Sequence, residues 1–142
     1  MATRTADAVW NGGLKDGSGT MTLGSGAFEG VYSFKSRMEE GTGTNPEELI
    51  GAAHAGCYSM QLSAMLAAAG HPPKQVHTTA KVHFAPSGGG FAITGIDLTT
   101  EADVPGMDDA AFQQQAEGAK TNCPVSKALA ATPITLQATL KQ

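Results

Sequence analysis

The sequence predicts an α+β fold in which antiparallel sheets pack around one long central helix. Residues 49–70 contain no Asp, Glu, Lys or Arg and are rich in small and apolar side chains, as expected of a buried helix. Short patterns typical of strands lie before and after this stretch rather than alternating regularly with helices, which favours α+β over a doubly wound sheet. The 142 residues are of single-domain length, and we expect residues 1–142 to form one domain.

The uncharged stretch is predicted to lie in a helix that runs from about residue 46 to residue 69. Asn45 supplies a capping side chain, and Pro46 fits the first helical position. The two glutamates that follow lie near the positive end of the helix dipole. Gly70 and the His-Pro-Pro sequence after it end the helix.

We do not interpret this helix as a membrane span. Alanine, glycine and serine dominate it in place of leucine and isoleucine, and no basic cluster flanks it. A helix that is apolar all round is instead expected to be the buried centre of a fold. Small residues would let another backbone come close to it, namely Gly51, Ala52, Ala53, Ala55 and Gly56.

Three short strands are predicted before the helix, in residues 5–12, 18–22 and 31–37. The glycine-rich residues 12–17 are typical of a turn between the first two. Together the three strands suggest an antiparallel meander. Arg37 would stand at the end of the third strand, which leads towards the helix.

Two strands, two helices and a last strand are predicted after the long helix. Residues 76–84 alternate apolar with polar, residues 87–90 form a loose turn, and residues 91–98 return with a bulge at Gly95. A helix from about residue 107 to 120 and a short helix starting at Pro124 precede a strand over residues 134–140. Cys123 therefore lies at or just before a helix N-terminus, where the dipole and free amides favour a thiolate.

Composition and charge exclude several classes of function. The net charge is -4, with Lys+Arg 9 against Asp+Glu 13 and no basic run, so we expect no nucleic-acid partner. The N-terminal residues lack the apolar core of a signal peptide, so the expected location is the reducing cytoplasm and not a membrane. A structural disulfide is not expected there, and no paired ligand spacing indicates a metal site.

Cys57, near the middle of the long helix, is the candidate nucleophile, with a role as a small buried hydrophobe as the alternative. A thiol at its ordinary pKa is only a few per cent ionised at neutral pH, so a nucleophilic role needs a nearby cation. Arg37 is the candidate cation. Glu47 or Glu48 would hold its guanidinium through a bidentate contact.

Helix geometry constrains this arrangement of charges. Glu47 and Cys57 are ten residues apart, so about 15 Å separates them along one straight helix. Either Arg37 spans part of that distance, or the carboxylate comes from the long helix of a second subunit. The second arrangement would make the site a feature of a dimer.

Cys57 and Cys123 are candidates for a peroxidatic and resolving pair, in which a sulfenic acid on the first condenses with the second to a disulfide. Sequence spacing leaves this open, because the two Cα atoms must approach within roughly 7 Å. His54 lies three residues before Cys57 on the same helix face, which would also suit a Cys–His nucleophile pair or half of a metal site. We interpret it as a core histidine, since no third group is evident.

Two segments resemble the cysteine motifs of a known family. Residues 43–57, GTNPEELIGAAHAGC, and residues 122–126, NCPVS, are similar to the motifs of the osmotically inducible protein C (OsmC) and organic hydroperoxide resistance (Ohr) family. Residues 90–94 and 104–106 match in the same order, so the resemblance covers nearly the whole chain. The Ile-Gly-Ala-Ala-His sequence before the cysteine is more similar to the OsmC branch.

This resemblance implies roles for four residues. Cys57 would be the peroxidatic cysteine and Cys123 the resolving cysteine, while Arg37 and Glu47 would be the paired charges that activate the thiolate. The resemblance also implies an intertwined homodimer with two sites at the subunit interface. Its disulfide would be reduced by an external dithiol, such as a lipoyl group.

The predicted activity is a thiol-dependent peroxidase that reduces organic hydroperoxides, and less effectively hydrogen peroxide, without a metal or a prosthetic group. Two other hypotheses stay open at this point. One is a cysteine acyl-transferase or hydrolase that uses His54 as its base. The other is a redox sensor or ligand-binding dimer, in which Cys57 is oxidised but does not turn over.

Overall fold

The computed structural model describes residues 1–141 and has the α+β fold that the sequence predicts. The described chain divides into two compact units, one covering Met1–Leu49 and the other beginning at Ile50. Its elements in chain order are β1 (Ala6–Asn11), β2 (Ser18–Leu23), β3 (Glu29–Tyr32), α1 (Phe34–Met38), α2 (Pro46–Ala68), β4 (Gln75–Ser87), β5 (Gly90–Asp103), α3 (Asp109–Asn122), α4 (Pro124–Ala128) and β6 (Ile134–Lys141).

The first unit holds the antiparallel meander expected from the sequence, with strand order β1-β2-β3. The predicted third strand is wrong beyond Tyr32, because the chain turns there into helix α1. The Ser33 hydroxyl accepts from the Ser36 backbone N–H at 3.1 Å, and the Ser36 hydroxyl accepts from the Ser33 N–H at 2.9 Å. This reciprocal capping box starts a helix where alternation alone predicts a strand. Arg37 therefore lies on a helix and not at a strand end.

A glycine directs the chain from α1 into α2. Gly43 has φ 119°, and a Cβ at this position would lie 2.6 Å from the carbonyl oxygen of Val31. This close approach accompanies a hydrogen bond from the Thr44 N–H to the same carbonyl at 2.8 Å. The start of α2, where Glu47 lies, is thereby tied to the edge of β3.

Helix α2 has nearly the predicted bounds. The side-chain oxygen of Asn45 accepts from the Glu48 backbone N–H at 2.8 Å, which caps the first turn. The helix ends at Ala68, and Gly70 follows with φ 88°, a conformation that costs glycine little. No helix within residues 1–141 has the length and apolar character needed to cross a bilayer.

The burial of α2 differs from the prediction that it is buried all round. One face is fully buried and is formed by residues four apart, which are His54, Tyr58, Leu62 and Leu66. The opposite face is exposed and carries no charge; it comprises Ala52, Ala53, Gly56, Met60, Ala64 and Ala67. The alanines and the glycine each expose little apolar area, so leaving them in water costs this helix less than exposing leucines would. Gly51, one of the small residues expected to let another backbone come close, is buried and lies against β4.

The second unit holds a sheet of strand order β4-β5-β6. Strands β4 and β5 form an antiparallel hairpin whose two-residue turn, Gly88-Gly89, is tighter than predicted and has positive φ at both residues. The register shifts between His83 and Phe84, which leaves Thr94 without a pairing partner in β4. The bulge expected around Gly95 is therefore confirmed.

Strand β6 runs parallel to β5, so the expectation of antiparallel sheets is wrong for this edge of the second sheet. Ile134 pairs with Ile96 at one end, and Lys141 with Asp103 at the other. Helices α3 and α4 form the connection between the two strands. A crossover of this length returns the chain in the same direction, as parallel pairing requires.

The core of the second unit lies among α2, β5 and α3. Its fully buried apolar side chains are Tyr58, Leu62, Leu66, Phe112, Ala116, Ala119 and Cys123, with Ile96, Leu98 and Ala102 from the sheet at 1% exposure or less. The Tyr58 hydroxyl donates to the carbonyl oxygen of Ala116 at 3.0 Å, which satisfies a polar group inside this core. The packing places the end of α3 beside α2.

Candidate active site

The two cysteines meet where α2 passes the junction of α3 and α4. The Cys57 and Cys123 sulfurs lie 3.0 Å apart, and both residues are free thiols. Cys123 is fully buried, whereas Cys57 is partly exposed. A disulfide requires about 2.05 Å between sulfurs, so the two atoms need only about 1 Å of further approach.

The local sequence explains the position of Cys123. Its backbone N–H donates to the Ala119 carbonyl oxygen at 2.9 Å and closes α3, and α4 begins directly after it with Pro124. The new helix leaves N–H groups of its first turn without intrahelical partners. Those of Val125 and Ser126 act to lower the pKa of Cys123, although its side chain forms no capping hydrogen bond. The predicted helix N-terminus at this cysteine is thus confirmed.

The two thiols differ in pKa. Burial raises the pKa of Cys57, and the hydrogen bond with Cys123 raises it further, against a smaller opposing effect of the Val125 N–H. Burial also acts to raise the pKa of Cys123, but hydrogen bonds from Cys57, Ser126 and Val125 outweigh it and lower that pKa. The second unit therefore favours the thiolate on Cys123. Among the described residues of this unit, none of the groups that shift the pKa of Cys57 is a cation.

Arg37 and Glu47 form a bidentate ion pair within the first unit. The guanidinium Nε donates to Glu47 Oε1 at 3.0 Å, and Nη2 donates to Oε2 at 2.8 Å. The Glu47 side chain is 9% exposed and that of Arg37 is 36% exposed. Glu48, the other candidate, instead accepts from the Thr44 hydroxyl at 2.7 Å. The fork geometry fixes the plane of the guanidinium while leaving part of it accessible.

A cavity of about 220 Å³ borders this arginine. It is lined by Trp10, Leu14, Tyr32, Ser33, Phe34, Arg37 and Met38. The rings of Trp10 and Tyr32 pack with centroids 5.2 Å apart at an interplanar angle of 55°. The cavity thus combines a mostly apolar wall with one cationic group.

His54 contacts the cysteine site through Ser126. The histidine is 0% exposed, which confirms its interpretation as a core residue, and its Nε2 lies 2.8 Å from Ser126 Oγ. Burial lowers the pKa of His54. Ser126 has no role in the sequence-based prediction. The signal that would have indicated one is its position three residues after Cys123, in the first turn of α4.

Comparison with known proteins identifies the family. The sequence profile of the family described as OsmC-like protein matches residues 39–138, a segment that includes both cysteines. The chain belongs to this OsmC-like family. Peroxiredoxin OsmC of Escherichia coli (strain K12) is 48% identical to it over 139 residues, covering 97% of this chain and 96% of that protein.

Two further comparisons extend the relationship. The organic hydroperoxide resistance protein of Xanthomonas axonopodis pv. citri (strain 306) is 37% identical over 92 residues, covering 62% of this OsmC-like chain and 61% of the relative. The crystal structure of an OsmC-like protein from Mycoplasma pneumoniae superposes with a TM-score of 0.77 at 18% identity, covering 99% of each chain. These similarities confirm the predicted family resemblance and the α+β fold.

In this OsmC-like chain the predicted site residues form two pairs. Cys57 lies with Cys123 in the second unit, and Arg37 lies with Glu47 in the first. Over the described part of the chain, no three His, Cys, Asp or Glu side chains come together as metal ligands. What the arrangement offers chemically is a pair of thiols poised for disulfide formation and an oriented cation beside an apolar cavity.

Proposed function

We propose that this protein is a thiol-dependent peroxidase that reduces organic hydroperoxides to alcohols and so protects against oxidative stress. The observation that carries this proposal is the 3.0 Å separation of two free thiols. The relatives named a peroxiredoxin and an organic hydroperoxide resistance protein support the same activity.

Cys57 is the proposed nucleophile because it is the more accessible of the two thiols. Its thiolate attacks the distal oxygen of the hydroperoxide, and the O–O bond breaks. The sulfur is oxidised to a sulfenic acid, while the alkoxide takes up a proton and leaves as an alcohol.

Arg37 supplies the cation that this step requires. The surroundings of Cys57 raise its pKa, so a thiolate on this residue at neutral pH needs positive charge from outside the second unit. The guanidinium stabilises the thiolate and then the negative charge on the leaving oxygen. Glu47 orients the guanidinium through the bidentate contact.

Cys123 resolves the sulfenic acid. Its thiolate attacks the Cys57 sulfur, the S–O bond breaks, and the departing hydroxide takes up a proton to leave as water. The product is a disulfide between Cys57 and Cys123. An external dithiol, such as a lipoyl group, then returns both residues to thiols and is itself oxidised to a disulfide. The cycle needs no prosthetic group, and it suits a reducing compartment such as the cytoplasm.

The cavity beside Arg37 supports an organic hydroperoxide as substrate. Its apolar lining would bind an alkyl or aryl tail, while the peroxide oxygens approach the guanidinium. Hydrogen peroxide has no tail to bury there, which accounts for the expectation that it is reduced less effectively.

We infer a homodimer in which the Arg37–Glu47 pair of one chain acts on Cys57 of its partner. Glu47 and Cys57 are ten residues apart on α2, which corresponds to about 15 Å along the axis and favours a cation from a second chain. The exposed uncharged face of α2, with Met60 77% exposed, is apolar surface of the kind a partner covers. The OsmC resemblance implies that such dimers are intertwined.

Oxidation of a dithiol by an organic hydroperoxide, catalysed by the purified protein, tests this proposal. The wild type should turn over many times and Cys57→Ser should not exceed the uncatalysed rate. Cys123→Ser should form a sulfenic acid that persists. Ser63→Ala, also on α2, is the matched control and should retain activity. After one equivalent of peroxide, the wild-type mass under non-reducing conditions should fall by two hydrogens.

Other outcomes would favour the rival functions. Peroxide consumption by Cys57→Ser at the wild-type rate would remove Cys57 from the mechanism. An ester substrate that acylates Cys57 without any need for Cys123 would indicate an acyl-transferase or hydrolase. Oxidation of Cys57 without turnover in excess dithiol would indicate a redox sensor.

A further inference from the structure

A buried histidine is linked to the resolving cysteine by a hydroxyl group, and the proposed redox cycle does not use it. The imidazole of His54 is 0% exposed, and its Nε2 lies 2.8 Å from Ser126 Oγ. Ser126 lies in the first turn of α4, three residues after Cys123, and its side chain acts to lower the pKa of the Cys123 thiol. His54 Nδ1 is buried and has no hydrogen-bond partner among residues 1–141.

When Cys123 is a thiolate, the number of protons on the side chains determines which group donates each hydrogen bond. A serine hydroxyl has one hydrogen, so if it donates to the sulfur it must accept from the imidazole. Neutral His54 then carries its proton on Nε2 and leaves Nδ1 as a bare acceptor. The unpartnered Nδ1 fits this tautomer, because buried N–H groups without a partner are rarer than unsatisfied acceptors.

We propose that Ser126 donates a hydrogen bond to the Cys123 thiolate and that His54 is a positioning residue that directs this donation through Nε2. The chain of donors runs from His54 Nε2 to Ser126 Oγ to Cys123 Sγ. Hydrogen bonds in such a chain polarise and strengthen one another in a low-dielectric core. This inference rests on the proposed function, in which Cys123 attacks the Cys57 sulfenic acid.

The groups around these three side chains are consistent with hydrogen bonds donated from His54 towards Cys123. Besides Ser126 and the neighbouring backbone N–H groups, the titratable groups Cys57 and Tyr58 interact with Cys123. Burial raises the pKa of the Tyr58 phenol, with Glu117 and Cys123 adding to the effect, so Tyr58 is neutral at pH 7. Burial lowers the pKa of His54, so the imidazole is also neutral there. The thiolate thus meets donors and no opposing fixed charge from these groups.

The proposed hydrogen bonds affect the second chemical step, in which Cys123 attacks the Cys57 sulfenic acid. A Cys123 thiolate supplies the electron pair for the new S–S bond, while the hydroxide released from the Cys57 sulfenic acid is protonated to water. Stabilising that thiolate raises its population at neutral pH. Oxidation of Cys57 by the hydroperoxide comes before this and does not involve Ser126 or His54.

Two measurements test the proposal. The first is the pH midpoint of ultraviolet thiolate absorbance in a Cys57→Ser background, where Cys123 is the remaining thiol, without any peroxide. The second is stopped-flow kinetics of the protein with Cys57 intact, which separates sulfenic acid formation from disulfide formation. Each uses the variants Ser126→Ala, Ser126→Thr, His54→Leu and His54→Gln, with folding monitored by near-UV circular dichroism.

Ser126→Ala should raise the midpoint of thiolate absorbance by about one pH unit and slow disulfide formation at pH 7 about tenfold. The deficit should vanish in alkaline buffer, where the thiol ionises without help. His54→Leu should shift both quantities in the same direction. Ser126→Thr keeps a hydroxyl and His54→Gln keeps an N–H donor, so both should stay near the wild type. The rate of sulfenic acid formation should be unchanged in all four.

An unchanged midpoint of thiolate absorbance in folded Ser126→Ala would overturn the proposal, as would an equal loss in both chemical steps. If His54→Leu does not fold, the comparison of Ser126→Ala with Ser126→Thr still tests whether the Ser126 hydroxyl stabilises the Cys123 thiolate. The midpoint of thiolate absorbance also separates this inference from the proposed function. A protein that consumes no hydroperoxide can still show the midpoint shift, and a peroxidase can lack it.

Discussion

At the residue scale, two chemically identical thiols are distinguished by the groups around them. The contact with Cys57, the N–H groups of the first turn of α4 and the Ser126 hydroxyl lower the pKa of Cys123 in spite of its burial. Cys57 has burial and the Cys123 contact acting against its ionisation. The motifs in the sequence predict both cysteines, but they do not predict the effect of Ser126 on the pKa of Cys123 or its contact with His54 across 72 residues of chain.

The fork geometry of the Arg37–Glu47 pair gives a test at a single side chain. Arg37→Lys keeps the positive charge but loses the two parallel hydrogen bonds, so the cation is no longer held in one orientation. We expect the rate of Cys57 oxidation to fall about tenfold, or ~1.4 kcal/mol in activation free energy. Stopped-flow measurement of sulfenic acid formation checks this. Arg4→Lys, in the exposed N-terminal segment, is the control, and an unimpaired Arg37→Lys protein would argue against an orienting role.

The buried imidazole predicts how stability depends on pH. Burial lowers the pKa of His54 from its usual 6.5, so below that pH the unfolded chain binds a proton that the folded chain excludes. The free energy of unfolding should therefore fall as the pH drops below about 6.5, by at most ~1.4 kcal/mol per pH unit from this residue.

Urea unfolding at pH 7.5 and pH 5.5 measures this contribution. The wild type should lose more stability on acidification than His54→Gln does, because the glutamine has no proton to bind. His77→Gln changes an exposed histidine of β4 and should behave as the wild type. Equal losses in the wild type and His54→Gln would show that His54 is protonated with similar ease in both states.

At the scale of secondary-structure elements, local capping decides which side chains reach the site. The alternation of residues 31–37 is compatible with a strand, yet the reciprocal Ser33–Ser36 hydrogen bonds convert its second half into α1. Arg37 is carried on this helix of five residues, so its position depends on the cap. A short helix has little stability of its own and relies on such contacts.

Removing the side-chain cap of α1 should disturb the position of Arg37 while leaving that residue unchanged. Ser33→Ala should lower the free energy of unfolding by about 1 kcal/mol and slow Cys57 oxidation, since fraying of α1 would loosen Arg37. Denaturant unfolding and the rate of sulfenic acid formation measure the two effects. Ser18→Ala, at the exposed start of β2, should alter neither. Wild-type stability in Ser33→Ala would mean that the rest of the unit holds α1 without its cap.

At the scale of the whole molecule, the chain is organised as two units, each of which carries one of the pairs of site residues. Helix α2 belongs to both units and presents an uncharged face to solvent. The residues predicted to form a helix buried on all sides instead place one face of α2 in the core and leave the opposite face exposed as an apolar surface. An uncharged face of this kind is the expected place for a second copy of the chain.

A single charge on that face should oppose dimer formation. Met60→Glu places a carboxylate at the most exposed large apolar side chain of α2, where burial in an interface would require its desolvation. Light scattering coupled to gel filtration should show a dimer for the wild type and a shift towards monomer for this variant. Gln114→Glu adds the same charge to an exposed position of α3 and serves as the control. A Met60→Glu protein that stays dimeric would place the interface elsewhere.

Mixing two inactive variants tests whether the charge pair acts across the dimer. Arg37→Ala chains retain Cys57, and Cys57→Ser chains retain Arg37, so a heterodimer of the two contains one complete site if the cation comes from the partner. Unfolding and refolding the mixture should restore up to about a quarter of the wild-type activity, because half the dimers are mixed and each has one site in two. A mixture as inactive as its components would place the pair and the cysteine in the same chain.

The sequence by itself determined the long helix with its two ends, the hairpin with its bulge, both cysteines, and the charge pair, because caps, alternation and motifs are local in the chain. Only the tertiary structure decided that β6 runs parallel to β5, that one face of α2 stays exposed, and that the two sulfurs lie 3.0 Å apart. It also placed His54 against Ser126. These features depend on how distant segments pack, and no spacing of residues along the chain encodes a hydrogen bond between two helices.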